Sequence, residues 1–218
     1  AVNLSKTQYN ALTPTEKTDT TKIYFVDNVV EYTALSFDDY GEGGGYDGSS
    51  GGSVSGNVLT CDFNDTWNNW SINITGKAVV DLTSIASIRI ITDASFTDYA
   101  RVRVYITSTD YGVVSTGQWC SLFESNETIK AEVTSSGTSV IDTSNYTGTY
   151  YVYVTAITGL DNGAQGSCND TKNGSMDGTV TLQKKVAATE THEIYYKNEL
   201  YTPSSSSGIT IETLYTNP

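Results

Sequence analysis

The sequence is poor in the residues on which most catalytic and metal sites depend. It contains one histidine, His192, and three cysteines in 218 residues. Because His192 lies near the C-terminus, the middle of the chain has no imidazole base for a Ser-His-Asp or Cys-His arrangement. The cysteines are far apart, and no C-x-x-C spacing is present to hold zinc. We therefore expect a protein that is not an enzyme. The alternative is a glycosidase pair of carboxylates, for which the sequence selects no pair.

Positive charge is equally scarce. Twelve Lys and Arg residues stand against 25 Asp and Glu residues, which gives a formal net charge of −13. Such a chain repels phosphate backbones and anionic lipid, so we expect neither nucleic acid nor a membrane surface as a partner. No apolar run approaches the ~20 residues of a membrane span, and the first residues lack the basic and apolar regions of a signal peptide.

The odd number of cysteines does not suit a complete set of disulfides. We interpret Cys61, Cys120 and Cys168 as small buried side chains of a protein made in a reducing compartment. A Cys120–Cys168 bridge is the alternative interpretation.

The residues that are abundant predict an all-β protein. Sixteen Tyr residues and many Thr, Ser and Val residues suit a pleated, half-buried surface, whereas Met occurs once and Pro three times. Hydrophobicity alternates in 101–106 and 151–154, so each segment has an aliphatic face, which we expect in the core, and an Arg or Tyr face. Many short strands with Gly-rich connections predict a jelly-roll β-sandwich over residues 34–187.

Within this region the strands are predicted from hydrophobic runs and the turns from polar residues. The predicted strands are 58–63, 71–74, 78–82, 87–92, 101–107, 119–123, 128–133, 150–155 and 180–186. Residues 38–56 are predicted to form a Gly, Ser and Asp loop outside the core. Asp81 and Asp142 each follow an apolar pair and are predicted to accept backbone N–H bonds in turns.

A short aromatic pattern occurs twice, once near each end of the chain. The segments 21–33 and 191–202 each contain an aromatic run, a polar turn with Asn and a second run that ends in Tyr-Thr, which predicts two β-hairpins. An isolated hairpin is marginal in water, so each is expected to pack on a neighbouring chain or on the sandwich. Before the first hairpin, Ser5 and Gln8 form a capping box that predicts a helix of two turns at most, ended by Thr13-Pro14.

The chain ends, 1–33 and 188–218, are therefore predicted to anchor the protein in an assembly. The candidate assembly residues are Tyr9, Leu12, Ile23, Tyr24, Phe25, Ile194, Tyr195, Tyr196 and Tyr201. Exposed hairpin edges favour pairing between chains, so we expect a homo-oligomer, with a trimer as the first expectation by analogy.

Aromatic residues among Asp and Asn residues suggest a glycan site. A sugar ring offers an apolar face to an aromatic plane, and its hydroxyls bond to polar side chains. The candidate ligand-binding residues are Trp67, Trp70, Tyr40, Tyr46, Asp65 and Asn68. The alternative is that Trp70, like Trp119, is a core residue at the start of a strand.

No cofactor is expected, and a structural calcium ion is the alternative that the composition suggests. Carboxylates in Gly-containing loops can surround a hard cation. The two candidate groups are Asp38, Asp39 and Asp47, and Asp161, Asp170 and Asp177. Neither fits the spacing of an EF-hand loop, and solvated turn carboxylates are the alternative.

Residues 4–27 carry a recognisable motif, in which Leu4-x-x-x-x-Tyr9-x-x-Leu12 leads through Pro14, Glu16 and Lys17 into the run 23–25 (IYF). This segment resembles one that recurs in tailed-bacteriophage tail, baseplate and fibre proteins. The sequence departs from that pattern at 19–22, where DTTK replaces the usual Asp-Gly before the strand. The segments 81–83 (DLT) and 148–152 (GTYYV) resemble galactose-binding-like jelly rolls, which phage proteins often carry as appended domains.

Together these resemblances imply a structural protein of a phage virion, such as a head fibre, a capsid decoration or a tail fibre. Its partners would be capsid or tail subunits, it would be assembled in the host cytoplasm, and its jelly roll would face outward and attach to host-surface or mucosal glycans. The alternative is an autonomous carbohydrate-binding module or adhesin of a secreted or surface bacterial protein.

Overall fold

The chain folds as two compact units. A computed structural model describes residues 1–28, 31–43, 52–64, 73–113, 123, 126–157, 174–187 and 191–201. The end unit contains both chain ends, residues 1–31 and 188–218, and the sandwich unit contains residues 32–187. The sandwich is thus an insertion in the middle of a unit made from the two ends.

The end unit is a four-stranded sheet with two short helices. Its elements are β1 (Val2–Ser5), α1 (Lys6–Ala11), α2 (Pro14–Lys17), β2 (Ile23–Asn28), β14 (Thr191–Tyr196) and β15 (Glu199–Tyr201). The strand order is β1-β2-β14-β15. β1 is parallel to β2, with the two helices in the connection, whereas β14 is antiparallel to both β2 and β15.

Two capping boxes in succession define the helices. Ser5 caps α1 and bonds reciprocally with Gln8, which confirms the predicted helix and its length. The α2 helix was not predicted, although its signature is in the sequence: Thr13 caps it, Pro14 occupies its first turn, and Glu16 completes the box.

The predicted C-terminal hairpin is confirmed. β14 and β15 pair through a two-residue turn in which Lys197 has φ 51° and Asn198 has φ 63°. Positive φ at both central residues is the mark of a type I′ turn, whose twist matches that of the flanking strands.

The predicted N-terminal hairpin is wrong. β2 has β1 on one side and β14 on the other, so both of its hydrogen-bonding edges are used. The end of the predicted second run instead forms β3 (Thr33–Ala34), which pairs with β13 of the sandwich unit. The two aromatic runs pair with each other because a ladder of six residue pairs with β14 satisfies more backbone groups than a tight local hairpin would.

The predicted all-β sandwich is confirmed by two sheets in the sandwich unit. One sheet has the order β10-β9-β12-β7-β4, and the other has the order β11-β8-β13-β6-β5, with β3 added on β13. The strands are β4 (Asp39–Gly43), β5 (Gly52–Ser55), β6 (Val58–Asn64), β7 (Asn73–Asp81), β8 (Ile85–Asp98), β9 (Arg101–Thr107), β10 (Ala131–Val133), β11 (Gly137–Asp142), β12 (Thr149–Ile157) and β13 (Gly174–Val186).

The core of the sandwich is aliphatic, as the alternation in the sequence predicts. Val102 and Val104 of β9 and Val152 and Val154 of β12 are fully buried in one cluster with Leu182 of β13. The predicted strand 101–107 matches β9, and the described parts of the predicted strands 71–74 and 78–82 fall in one strand, β7, except Leu82, which begins a 3-10 helix. Asp81 and Asp142 accept backbone N–H bonds from residues two positions later, as predicted.

The predicted loop 38–56 contains two strands, β4 and β5, so this prediction is wrong in part. Glycine is required here because each edge strand runs against a neighbour. A Cβ atom on Gly52 would lie 2.9 Å from the Thr60 carbonyl oxygen and 2.7 Å from Ile74 Cδ1, and one on Gly41 would lie 2.8 Å from Val113 Cβ. The composition that suggested a flexible loop instead permits close packing.

Candidate functional site

The structure places one of the predicted glycan-binding residues. Tyr40 lies on the edge strand β4, opposite Gly76 of β7, and its side chain is 45% exposed. The other candidates lie outside the described residues: Tyr46, Asp65, Trp67, Asn68 and Trp70. Trp119 also lies outside them. The described part of the chain therefore brings no second candidate to Tyr40.

The calcium candidates that are described bond to backbone or face another carboxylate. Asp38 accepts the Val79 N–H at 2.6 Å, whereas Asp177 lies opposite Asp62 across β13 and β6. Within the described ranges, no group of three or more His, Cys, Asp or Glu side chains could hold a metal ion. Asp47, Asp161 and Asp170 lie outside these ranges, so calcium binding stays a prediction.

The β2–β14 ladder sorts the predicted assembly residues onto two faces of the end sheet. Tyr24 is opposite Tyr195, and these two side chains lie on the face that α1 covers. On the other face, Ile23 is opposite Tyr196 and Phe25 is opposite Ile194. We call these last four residues the Ile-aromatic face. Tyr201 pairs with Ile194 from β15.

The helix-covered face is the core of the end unit, so its residues are unavailable for direct docking. Tyr9 and Tyr24 are 4% and 2% exposed, and the Tyr9 ring stacks on that of Tyr195 with the centroids 4.2 Å apart. The Tyr24 hydroxyl donates to the Glu16 carbonyl at 2.6 Å. Tyr9, Tyr24 and the half-buried Leu12 therefore pack within the end unit, and a role for them in assembly stays a prediction.

An ion pair at the edge of this core joins the N-terminal and C-terminal segments of the chain. Lys6 of α1 bonds to the Glu193 carboxylate and donates to the Tyr195 hydroxyl at 2.7 Å. The hydrogen bond to Glu193 raises the pKa of Lys6, and the same bond lowers the pKa of Glu193. Sequence reasoning missed this pair because 187 residues separate its partners along the chain.

The outer face of the five-stranded sheet carries a buried charged layer that the sequence indicated only in part. The Arg side of the alternating segment 101–106 is not solvated: Arg103 is fully buried and Arg101 is 6% exposed. Arg103 donates from Nε to Glu132 Oε2 at 2.7 Å, and Arg101 contacts the other carboxylate oxygen at 3.5 Å. The Arg-x-Arg spacing was the signal for this layer.

Aromatic residues continue the layer along β9 and β12. Tyr105 and Tyr153, which are paired in register, are fully buried in a cluster with Phe123. The Tyr111 hydroxyl donates to Glu127 at 2.8 Å, and that bond raises the pKa of Tyr111.

Asp110 holds the segment after β9 onto this sheet. Its Oδ1 atom accepts the Gly112 N–H at 2.8 Å, the Tyr153 hydroxyl at 3.0 Å and the Lys77 ammonium at 3.2 Å. The Gly112 N–H is the main cause of the lowered pKa of Asp110. A general acid at neutral pH needs a raised pKa, so Asp110 is suited to holding this segment rather than to acting as a general acid.

The remaining residues of chemical interest are buried or lie outside the described side chains. Cys61 is fully buried, as predicted, and burial raises the pKa of its thiol. Cys120 and Cys168 lie outside the described residues. His192 is part of β14, opposite Asp27.

No protein-family model matches the chain, and a search of curated proteins found no significant match. In the described part of the chain, no helix has the length and apolar character needed to span a membrane.

Proposed function

We propose that this protein is a non-enzymatic structural component of a bacteriophage virion. The end unit attaches it to capsid or tail subunits, and the inserted sandwich is displayed at the particle surface. The observation that carries this proposal is the arrangement of the two units along the chain: both ends form the smaller unit, and one continuous insertion forms the larger unit.

The resemblance to phage tail, baseplate and fibre proteins falls entirely on the end unit. Residues 4–27 extend from β1 through α1 and α2 into β2. The segment therefore corresponds to one structural piece, the parallel pair with its helical connection. This supports an attachment role for the end unit.

The test is whether the chain is part of purified particles. Antibodies raised against the protein should label virions from the producing culture, and the chain should sediment with them in a density gradient. Tyr24→Lys, which opens the core of the end unit, should abolish co-sedimentation, whereas Val140→Lys on the exposed surface of the sandwich should not. A chain that remains at the top of the gradient would refute the proposal.

Glycan binding by the displayed sandwich is a second candidate function, favoured by the exposed ring of Tyr40. A glycan array should detect binding that Tyr40→Ala and Trp67→Ala each reduce and that Val140→Ala leaves unchanged. Absence of binding, or binding insensitive to both changes, would eliminate this function without affecting the first.

A further inference from the structure

The Ile-aromatic face of the end unit is not part of any apolar cluster among the described residues. Ile23, Phe25 and Ile194 are half-buried, and Tyr196 is 39% exposed. None of the four belongs to those clusters, although Tyr24 and Val26, their neighbours in β2, do. We propose that this face binds the same face of a second copy of the chain. The inference rests on the assembly role that the proposed function gives to the end unit.

The four side chains have an approximate two-fold symmetry that comes from the repeated sequence. In the antiparallel ladder Tyr24 is opposite Tyr195. An axis through this pair, perpendicular to the sheet, exchanges Ile23 with Ile194 and Phe25 with Tyr196. Each strand therefore contributes one isoleucine and one aromatic ring, and like residues lie on a diagonal.

This diagonal pattern makes the face complementary to itself. Two sheets that pack face to face keep their strands roughly aligned, about 10 Å apart. A copy turned over about a two-fold axis along the strands puts Tyr196 over Ile23 and Ile194 over Phe25. An axis across the strands puts Phe25 over Ile23 and Ile194 over Tyr196. In both arrangements every isoleucine meets an aromatic ring, so large side chains oppose small ones and the spacing stays even.

Charge also favours this face for self-association. The chain carries a formal net charge of −13, so two copies repel each other over most of their surfaces. The four side chains of the Ile-aromatic face are themselves uncharged, although Lys197 Nζ lies 5.1 Å from the centre of the Tyr196 ring and the exposed Asp27 follows Phe25 on the same side of β2. Polar residues flank it, since Asn3 lies beside Phe25 and Glu199 lies beside Tyr196. An apolar centre with a polar rim is the usual composition of a protein interface.

The first experiment measures the mass of the full chain by light scattering. We expect the mass of two chains of 23.5 kDa, with association that strengthens as salt screens the net charge. Tyr196→Lys should give a single chain. Leu200→Lys is the matched control because Leu200 is 51% exposed and pairs with Tyr195, whose side chain lies on the helix-covered face. It should leave the pair intact, and a thermal scan of each variant establishes that it is folded.

Several results would overturn the proposal. A wild-type mass of one chain or of three chains would do so, as would a pair that survives Tyr196→Lys or one that Leu200→Lys disrupts equally. Co-sedimentation with virions is read separately from mass. A chain that pairs in solution but is missing from particles refutes the virion function, whereas one that is present in particles but remains single in solution refutes the pairing.

A charge-swap experiment identifies which two-fold axis is used. Ile23→Glu, Tyr196→Lys and Phe25→Lys should each be monomeric alone. If the axis runs along the strands, mixing Ile23→Glu with Tyr196→Lys should restore the pair, because these side chains oppose each other. If the axis runs across the strands, mixing Ile23→Glu with Phe25→Lys should restore it. Failure of both mixtures would contradict face-to-face packing.

Discussion

The two units of the protein are built on different principles. The sandwich unit is one continuous segment with an extensive aliphatic core between two sheets. The end unit has a small core centred on Tyr9, Tyr24 and Val26, and its central strand pair joins residues from opposite ends of the chain. The core of the sandwich thus comes from one continuous segment, whereas we expect the end unit to form only when both ends are present.

The folded sandwich also favours pairing of β2 with β14 in the end unit. β3 pairs with β13, so Thr33 is opposite Lys184 where the chain enters and leaves the sandwich. The entropic cost of closing a loop rises with the number of flexible residues in it. Once the sandwich is folded, few flexible residues separate β2 from β14, so the cost of pairing these two strands is lower. The end unit should therefore not outlast the sandwich on unfolding.

The largest expected effect comes from deleting residues 191–218. This removes β14 and β15, so β2 loses a neighbour and Tyr9 loses the ring on which it stacks. Hydrogen exchange should show complete loss of protection in residues 1–28 and unchanged protection in the strands of the sandwich. Protection that persists in β1 and β2 would mean that the N-terminal segment folds without its C-terminal partner.

Arg103→Ala should affect the sandwich alone, by about 2–3 kcal/mol in the free energy of unfolding, because it removes a fully buried side chain and the closer of the two cations that contact Glu132. Urea denaturation followed by a probe in each unit measures this. Arg89→Ala is the control: Arg89 bonds to Gln183 and lies over the Tyr32 ring at a more exposed position, so about 1 kcal/mol is expected. Equal costs would show that burial of Arg103 contributes little.

Acid should weaken the end unit through Glu193. The pKa of this carboxyl is lowered from its ordinary value of 4.5, chiefly by the hydrogen bond from Lys6. Its contribution is therefore complete above pH 4.5 and is lost as the pH falls through the folded-state pKa, because the unfolded chain takes up the proton first. Stability of the end unit measured against pH should have a shallower acid limb in Glu193→Gln. Parallel acid limbs for the two proteins would contradict this.

The smallest effect is a gain in the stability of the sandwich. Asp62 and Asp177 are exposed and directly opposite on β6 and β13, an arrangement of like charges that destabilises a sheet. Asp177→Asn should raise the free energy of unfolding of this unit by about 0.5 kcal/mol at low salt. The gain should shrink as salt is added, whereas a loss of stability would indicate that the two carboxylates share a cation.

Local signals predicted local structure well. The Ser5 capping box gave α1, the alternation at 101–107 gave β9, and the turn aspartates Asp81 and Asp142 were identified from their positions after apolar pairs. The capping box at Thr13 was equally readable and was missed. These features depend on neighbours within a few residues, which is the information that a sequence presents directly.

The errors concern contacts between distant residues. The aromatic run in β2 resembles half of a hairpin, and only the pairing with β14 shows that its partner is at the other end of the chain. Gly41 and Gly52 indicate flexibility until Val113 and Ile74 are known to lie against them. Burial of Arg103 likewise depends on the segments that cover the sheet, which no periodicity within β9 reveals.

The pairing of β3 with β13 means that the sandwich could be replaced by another domain. Its entry and exit strands are hydrogen-bonded neighbours, so they lie about 4.8 Å apart, the spacing between adjacent strands that β2 and β14 also have. A different domain whose first and last strands are adjacent in a sheet could take its place and still bring the two chain ends together. Recombination or engineering could therefore replace the sandwich while the end unit stays the same.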